Sequence, residues 1–214
     1  MEIDNVSPRD IYNSLNVDLN RNSVFKAGEG AGASGSFFFF SADKRFLIKT
    51  LRGNERKILL NMLDSFIKYL KDVGNQSLIA KIYGVYTVKT NVYSSCDFIV
   101  MQNTSRMINN THPKMSFDMK GSVFKRKTIL KEHFWLQQDQ LNCEKILKDL
   151  NFMEIREAIG SYLLHLEHSD QEKLNRMVEA DSKFLRSHNL MDYSLLFVVE
   201  TAPAEMKSFF QGFA

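Results

Sequence analysis

The segment from Gly28 to Thr50, GEGAGASGSFFFFSADKRFLIKT, constrains this chain more than any other stretch. Its glycines match G-x-G-x-x-G at Gly30, Gly32 and Gly35. That pattern serves two phosphate-binding architectures, and the residues after it decide between them. A dinucleotide fold needs a helix there. Instead four aromatic residues, Phe37 to Phe40, are followed by a turn, which predicts a strand. The glycines therefore sit at the tip of a β-hairpin. A Walker-type loop is excluded because no Gly-Lys-Ser/Thr follows. The remaining arrangement is a glycine-rich lid over a nucleotide's phosphates, with a lysine on the next strand reaching them. Lys49, at the end of FLIK, occupies that place. Glycines let backbone N–H groups approach phosphate oxygens with no Cβ in the way. The plain alternative is a loose surface loop.

Composition narrows the class. At 214 residues, 44% hydrophobic and 25% charged, the chain reads as one or two globular domains with enough length to bury a core. No apolar run behind a basic cluster marks a signal peptide, and no window approaches the ~18 apolar residues of a membrane-spanning helix. Cys96 and Cys143 have no partner spacing, which fits a reduced, cytoplasmic setting. The net charge of +3 is mild, and no nucleic-acid partner is expected.

Periodicity predicts an α+β chain. Two or three strands are expected over residues 23–50. An amphipathic helix runs from Glu55 to Asp72, its stripe set by Ile58, Leu59, Met62, Leu63, Phe66, Ile67 and Leu70. Leu78 to Lys89 and Asp97 to Gln102 read as strands. FDMKGS, inside a polar and basic stretch, is strand-like. Helices are expected at Ile155 to Leu166 and Leu174 to Leu185, and a buried strand at Ser194 to Val199.

Two carboxylates attract chemical readings. Glu55 opens the helix after Lys49. It is either the lysine's partner or a favourable first-turn charge on the helix dipole. Asp192, in HNLMDYSLL, lies at a helix-to-strand turn four residues after His188. A carboxylate there can accept the proton of an attacking hydroxyl, or it can simply hold a turn. His165 and His168 lack a third ligand and are read as structural.

GASGSFFFFSADKRFLIKT, FDMKGS, LKDLNF and LMDYSLL, in that order, resemble the phosphatidylinositol phosphate kinases. That family carries a glycine-serine lid before a FIIKT lysine, then DLKGS, LKDxDF and MDYSLL. The resemblance runs from about Ser7 to Val199 and implies a kinase-like, two-lobed fold over residues 1–214. An antiparallel nucleotide-clamping lobe would occupy residues 1–103, and a partial second lobe with the catalytic segment residues 104–214. It implies ATP and Mg2+ as cofactors and a phosphoinositide, of the 4-phosphate 5-kinase type, as acceptor. A homodimer is the implied assembly, and the cytosolic face of a membrane the implied place. Residue by residue, Gly32, Ser34, Gly35 and Ser36 would form the phosphate lid, with Lys49 the ATP lysine and Glu55 its partner. Met101 to Asn103 falls where the family contacts adenine. Lys120 would meet phosphate charge, and Asp192 would be the catalytic aspartate.

The family sits on anionic membrane by a flat basic face. From Lys114 to Lys131 this chain carries Lys114, Lys120, Lys125, Arg126, Lys127 and Lys131 against only Asp118. Each such charge near an anionic leaflet is worth ~1 kcal/mol. Membrane contact by Lys120, Lys125, Arg126 and Lys127 is the functional expectation, and a solvated loop the plain one.

Departures qualify the match. Met119 replaces leucine in DLKGS, Asn151 replaces the second aspartate of LKDxDF, and Phe197-Val198-Val199 stands where the family usually has a glycine, as in LVGI. The family's metal-binding Ile-Ile-Asp segment and lysine-rich specificity loop are not found after Asp192. Phosphoryl transfer leans on metal-neutralised charge. A kinase core represented in part, with little activity of its own, is therefore weighed against a non-catalytic membrane-binding or interaction module.

Overall fold

The structure is a computed structural model that describes residues 4–21, 36–89, 91, 95–105, 114–130, 145–159 and 166–200. The chain divides into two compact units. Residues 1–106 and 172–189 make the first, and residues 107–171 and 190–214 the second. The expected division at 103/104 overlooks the return of 172–189 to the first unit.

The first unit is a four-stranded antiparallel sheet, in the order β1-β2-β4-β3, with helices. The strands are β1 (Phe38–Phe40), β2 (Phe46–Leu51), β3 (Ile82–Val88) and β4 (Cys96–Gln102). Helix α1 (Pro8–Ser14) starts on Ser7, whose hydroxyl accepts the Asp10 N–H while Asp10 bonds back to the Ser7 N–H. It lays Ile11 against Phe46 and Val100 on one sheet face, with Val6 beside them. A short helix, α2 (Val17–Asn20), follows, and its Asn20 side chain accepts the Ala42 N–H of the β1–β2 turn.

Helix α3 (Gly53–Val73) begins two residues before the predicted Glu55. It buries Leu59, Met62, Phe66 and Leu70 at helical spacing, while Ile58 and Ile67 of the same stripe stay exposed. Helix α5 (His168–Ser187) packs its Phe184 ring on Tyr69 at 4.4 Å and on Phe66 at 6.0 Å. Asp181 of α5 is buried and accepts three hydrogen bonds, from Tyr69 Oη (2.7 Å), Ser77 Oγ (2.7 Å) and Leu78 N (2.6 Å).

The second unit is a three-stranded sheet in the order β6-β5-β7. Strand β5 (Lys114–Met119) runs parallel to β6 (Leu147–Lys148) and antiparallel to β7 (Leu195–Glu200). Helix α4 (Asp149–Ile159) follows β6 directly, six residues earlier than the predicted helix start. Met115, Phe117, Leu147 and Ile155 form the core. Phe197 stacks on Phe117 at 4.9 Å, and Phe152 meets it edge-on at 5.5 Å. Strand β7 is not the buried strand expected: among the described residues it lies at the sheet edge, and Leu195 and Leu196 are exposed.

Candidate functional site

In the first unit, Lys49 lies between Phe38 of β1 and Ile99 of β4. Strand side chains alternate, and Phe46 and Ile48 pack towards α1, so Leu47 and Lys49 point to the opposite face. Glu55, in the first turn of α3, reaches the lysine, with Lys49 Nζ to Glu55 Oε1 at 3.0 Å. Its second oxygen accepts the N–H of Arg52, the residue that precedes the helix, at 2.8 Å. The two readings of Glu55 are therefore compatible, with one carboxylate oxygen for each. Desolvation opposes the charged form, but the Arg52 N–H and Lys49 outweigh it and hold this carboxyl below its ordinary range.

Met101 shares the Lys49 face, opposite Leu47 in the register. Asn103 does not present a free amide to a nucleotide. It is buried, its Nδ2 donates to the Lys44 carbonyl at 2.8 Å, and its Oδ1 accepts from Ser105 N (3.2 Å) and Oγ (2.8 Å). Its side chain holds the β1–β2 turn, where Lys44 takes a left-handed φ of 56°. Ser36 is buried, and its hydroxyl has no partner among the described residues. Gly32, Ser34 and Gly35 lie outside the described residues.

In the second unit the register Met119↔Leu195 brings DMKGS and MDYSLL together. Asn189 (φ 54°) and Asp192 (φ 62°) turn the chain into β7 in left-handed conformations that short polar side chains tolerate. Lys120 forms an ion pair with Asp192, whose side chain is 83% exposed. The hydrogen bond from Lys120 and its charge hold the Asp192 carboxyl below the ordinary range.

The basic run is not one face. Arg126 has only 10% of its side chain exposed, between Asp149 (Nε to Oδ2, 2.7 Å) and Asp118 (Nη2 to Oδ2, 3.0 Å), and it also donates to the Asp118 carbonyl. This corrects the expectation that Arg126 meets a membrane. The two carboxylates and the carbonyl compensate the buried guanidinium, which would be stranded without them. Lys127 pairs with Glu154 of α4, and Lys125 stays exposed. Lys131 and the Lys114 side chain lie outside the described residues.

Asp149 organises this unit. It is buried and also accepts the backbone N–H groups of Lys120 (3.0 Å) and Gly121 (2.8 Å). Desolvation works to raise its pKa, but Arg126 and the amides outweigh that and lower it. Asn151, the family's missing charge, is buried too. Its Oδ1 accepts from Thr128 N (2.8 Å) and Lys148 N (3.2 Å), and its Nδ2 donates to the Thr128 carbonyl (3.0 Å).

Among the described residues no group of three His, Cys, Asp or Glu side chains is placed to hold a metal. Asp118, Asp149 and Asp192 are each engaged with a cationic side chain, so a magnesium ion does not fit them as they stand. No described helix is long and apolar enough to cross a membrane.

A family model described as Phosphatidylinositol-4-phosphate 5-Kinase matches residues 19–210. The chain belongs to that family. It is 37% identical to phosphatidylinositol 4-phosphate 5-kinase 9 of Arabidopsis thaliana over 188 residues, 87% of this chain and 21% of the relative. It is 33% identical to phosphatidylinositol 4-phosphate 5-kinase 1 of Oryza sativa subsp. japonica over 186 residues, 82% of this chain and 21% of the relative. The chain thus spans about a fifth of the length of these curated relatives.

Within this phosphatidylinositol-4-phosphate 5-kinase family chain, sequence reasoning assigned no role to Asp149 or Asp181. A signal existed for each. Asp149 opens a helix just after Ile146, Leu147 and Lys148. Asp181 lies three residues from both Val178 and Phe184, on the apolar stripe of its own helix, where a charge needs partners.

Proposed function

We propose that this chain carries the nucleotide-clamping and acceptor-activating parts of a phosphatidylinositol phosphate kinase. The reaction is transfer of the ATP γ-phosphate to an inositol-ring hydroxyl of a phosphatidylinositol phosphate, with the 4-phosphate as the substrate class. The observation that carries the reading is the Lys49–Glu55 contact of 3.0 Å, formed where the strand after a glycine-rich segment meets the next helix. Phosphoryl transfer needs little covalent chemistry from the protein, so positioned charge does most of it.

In this reading Lys49 neutralises phosphate charge and Glu55 holds its ammonium in place. Asp192 accepts or orients the proton of the attacking hydroxyl. Its lowered pKa makes it a weak base while Lys120 is beside it. When the lipid phosphate draws Lys120 away, the carboxylate regains basicity as the acceptor arrives. The proposed place of action is the cytosolic face of an anionic membrane, as a peripheral protein.

The test is transfer of labelled phosphate from ATP to vesicles containing phosphatidylinositol 4-phosphate. Label in the lipid, lost in both Lys49→Ala and Asp192→Asn, supports the reading. Retained ATP and vesicle binding with no transfer supports the non-catalytic module instead.

A further inference from the structure

The turn after β5 displays apolar side chains outward. Val123 is 66% exposed, Phe124 76% and Ile129 85%. This loop is held firmly from beneath. Arg126 is buried among carboxylates, its N–H closes the turn onto the Val123 carbonyl at 3.4 Å, and its carbonyl accepts the Leu150 N–H at 3.0 Å. Thr128 is clamped by Asn151, and its hydroxyl donates to the Ile146 carbonyl at 2.8 Å. Phe124 and Lys125 are the two central residues of the turn, and Lys125 takes a left-handed φ of 56° that a lysine adopts only when its surroundings impose it. A loop this well anchored could have folded its aromatic ring inward, yet the ring points out.

Two of the three apolar residues have an ammonium nearby. Lys125 Nζ lies 5.3 Å from the Phe124 ring centroid, and Lys145 Nζ donates to the Ile129 carbonyl at 3.3 Å. An apolar tip flanked by lysines matches an acyl boundary overlaid by anionic headgroups. A convex turn offers a protein partner no pocket to fill.

We propose that residues 123–129 form a wedge that inserts Val123, Phe124 and Ile129 into the interfacial layer of an anionic phospholipid bilayer. This rests on the reading of the second unit as a site for a membrane lipid. Only three residues separate Lys120 from Phe124, so their Cα atoms are within roughly 14 Å. The headgroup layer is ~5–8 Å deep. With Phe124 at the acyl boundary, the Lys120 Cα is at most roughly 14 Å away, close enough for its side chain to meet the headgroups. The wedge therefore sets the depth at which the site meets its acceptor, a role the long-range attraction of lysines does not supply.

The test places a reporter at the tip. Replacing the single Trp135 with Phe and Phe124 with Trp gives one fluorophore. It is read with vesicles of phosphatidylcholine and phosphatidylserine that carry brominated acyl chains, and with phosphatidylcholine alone. A blue shift with bromine quenching on the anionic vesicles is expected. Val123→Ser with Phe124→Ser, checked for native circular dichroism, should weaken vesicle binding at least tenfold. Lys125→Glu should weaken it about fivefold or more, and only at low salt. Binding to vesicles with the tip tryptophan still in water would overturn the wedge. So would a blue shift without lipid that grows with protein concentration, which would mark a second copy as the occupant. Quenching without phosphoryl transfer keeps the wedge and sinks the kinase reading, whereas transfer without quenching does the reverse.

Discussion

Arg126 Nε donates to Asp149 Oδ2 at 2.7 Å, with only 10% and 7% of the two side chains exposed. One of the chain's most conspicuous surface-type residues is thus an internal fastening. Removing one member of a buried pair strands the other charge, so Arg126→Ala and Asp149→Ala should each lose about 3–5 kcal/mol in urea unfolding. If Arg126 served as a surface charge, its loss would leave the urea midpoint nearly unmoved.

The same pair predicts a pH dependence. Asp149 has a folded pKa below its ordinary 3.8, so its stabilisation is complete above that value and disappears as pH falls through the lower, folded one. Wild-type stability should therefore fall steeply in acid. Asp149→Asn should be less stable at neutral pH and show a shallower acid slope, measured by unfolding at a series of pH values.

For Lys49, stability and function should separate. The pair with Glu55 is partly exposed, so Lys49→Ala should change stability by less than about 1 kcal/mol. Phosphate transfer in the same variant should drop by about two orders of magnitude. Glu55→Gln keeps an acceptor for the Arg52 N–H and should melt near wild type while losing much of that transfer.

Lys120→Ala should raise the Asp192 pKa towards the ordinary 3.8, because the lysine is the main cause of its lowering. A carboxyl carbon NMR titration reads this directly. Asp192→Asn should leave the fold intact, since the side chain is exposed, and reduce transfer by about 10²–10⁴-fold.

Restoring the family's aspartate at position 151 should harm this chain. Asn151 donates to the Thr128 carbonyl at 3.0 Å, and a carboxylate has no proton to offer there. Asn151→Asp should cost about 1–3 kcal/mol in thermal or urea unfolding. A variant as stable as wild type would remove the clamp on Thr128 from the account.

Much of this was legible in the sequence because it depends on local pattern. The strand bearing Lys49, the helix bearing Glu55 and the strand after Asp192 all follow from periodicity and turn residues. The fate of Arg126 was not legible. A run of lysines and arginines looks alike whether it faces water or carboxylates, and the partners Asp118 and Asp149 lie 8 and 23 residues away. Asn103 misled for a similar reason, since its amide is occupied by a turn 59 residues earlier in the chain. Contacts of that separation depend on topology, and periodicity does not encode them.

The return of residues 172–189 to the first unit has a consequence for synthesis. Tyr69, Ser77 and the Leu78 amide leave the ribosome long before Asp181, their shared acceptor. At ~5–20 residues per second, the delay from Leu78 to Asp181 is about 5–20 s. Throughout that interval the nascent sheet and α3 lack the helix that covers Phe66 and Tyr69. A newborn chain is therefore exposed to chaperones and proteases at that apolar face until its own α5 arrives.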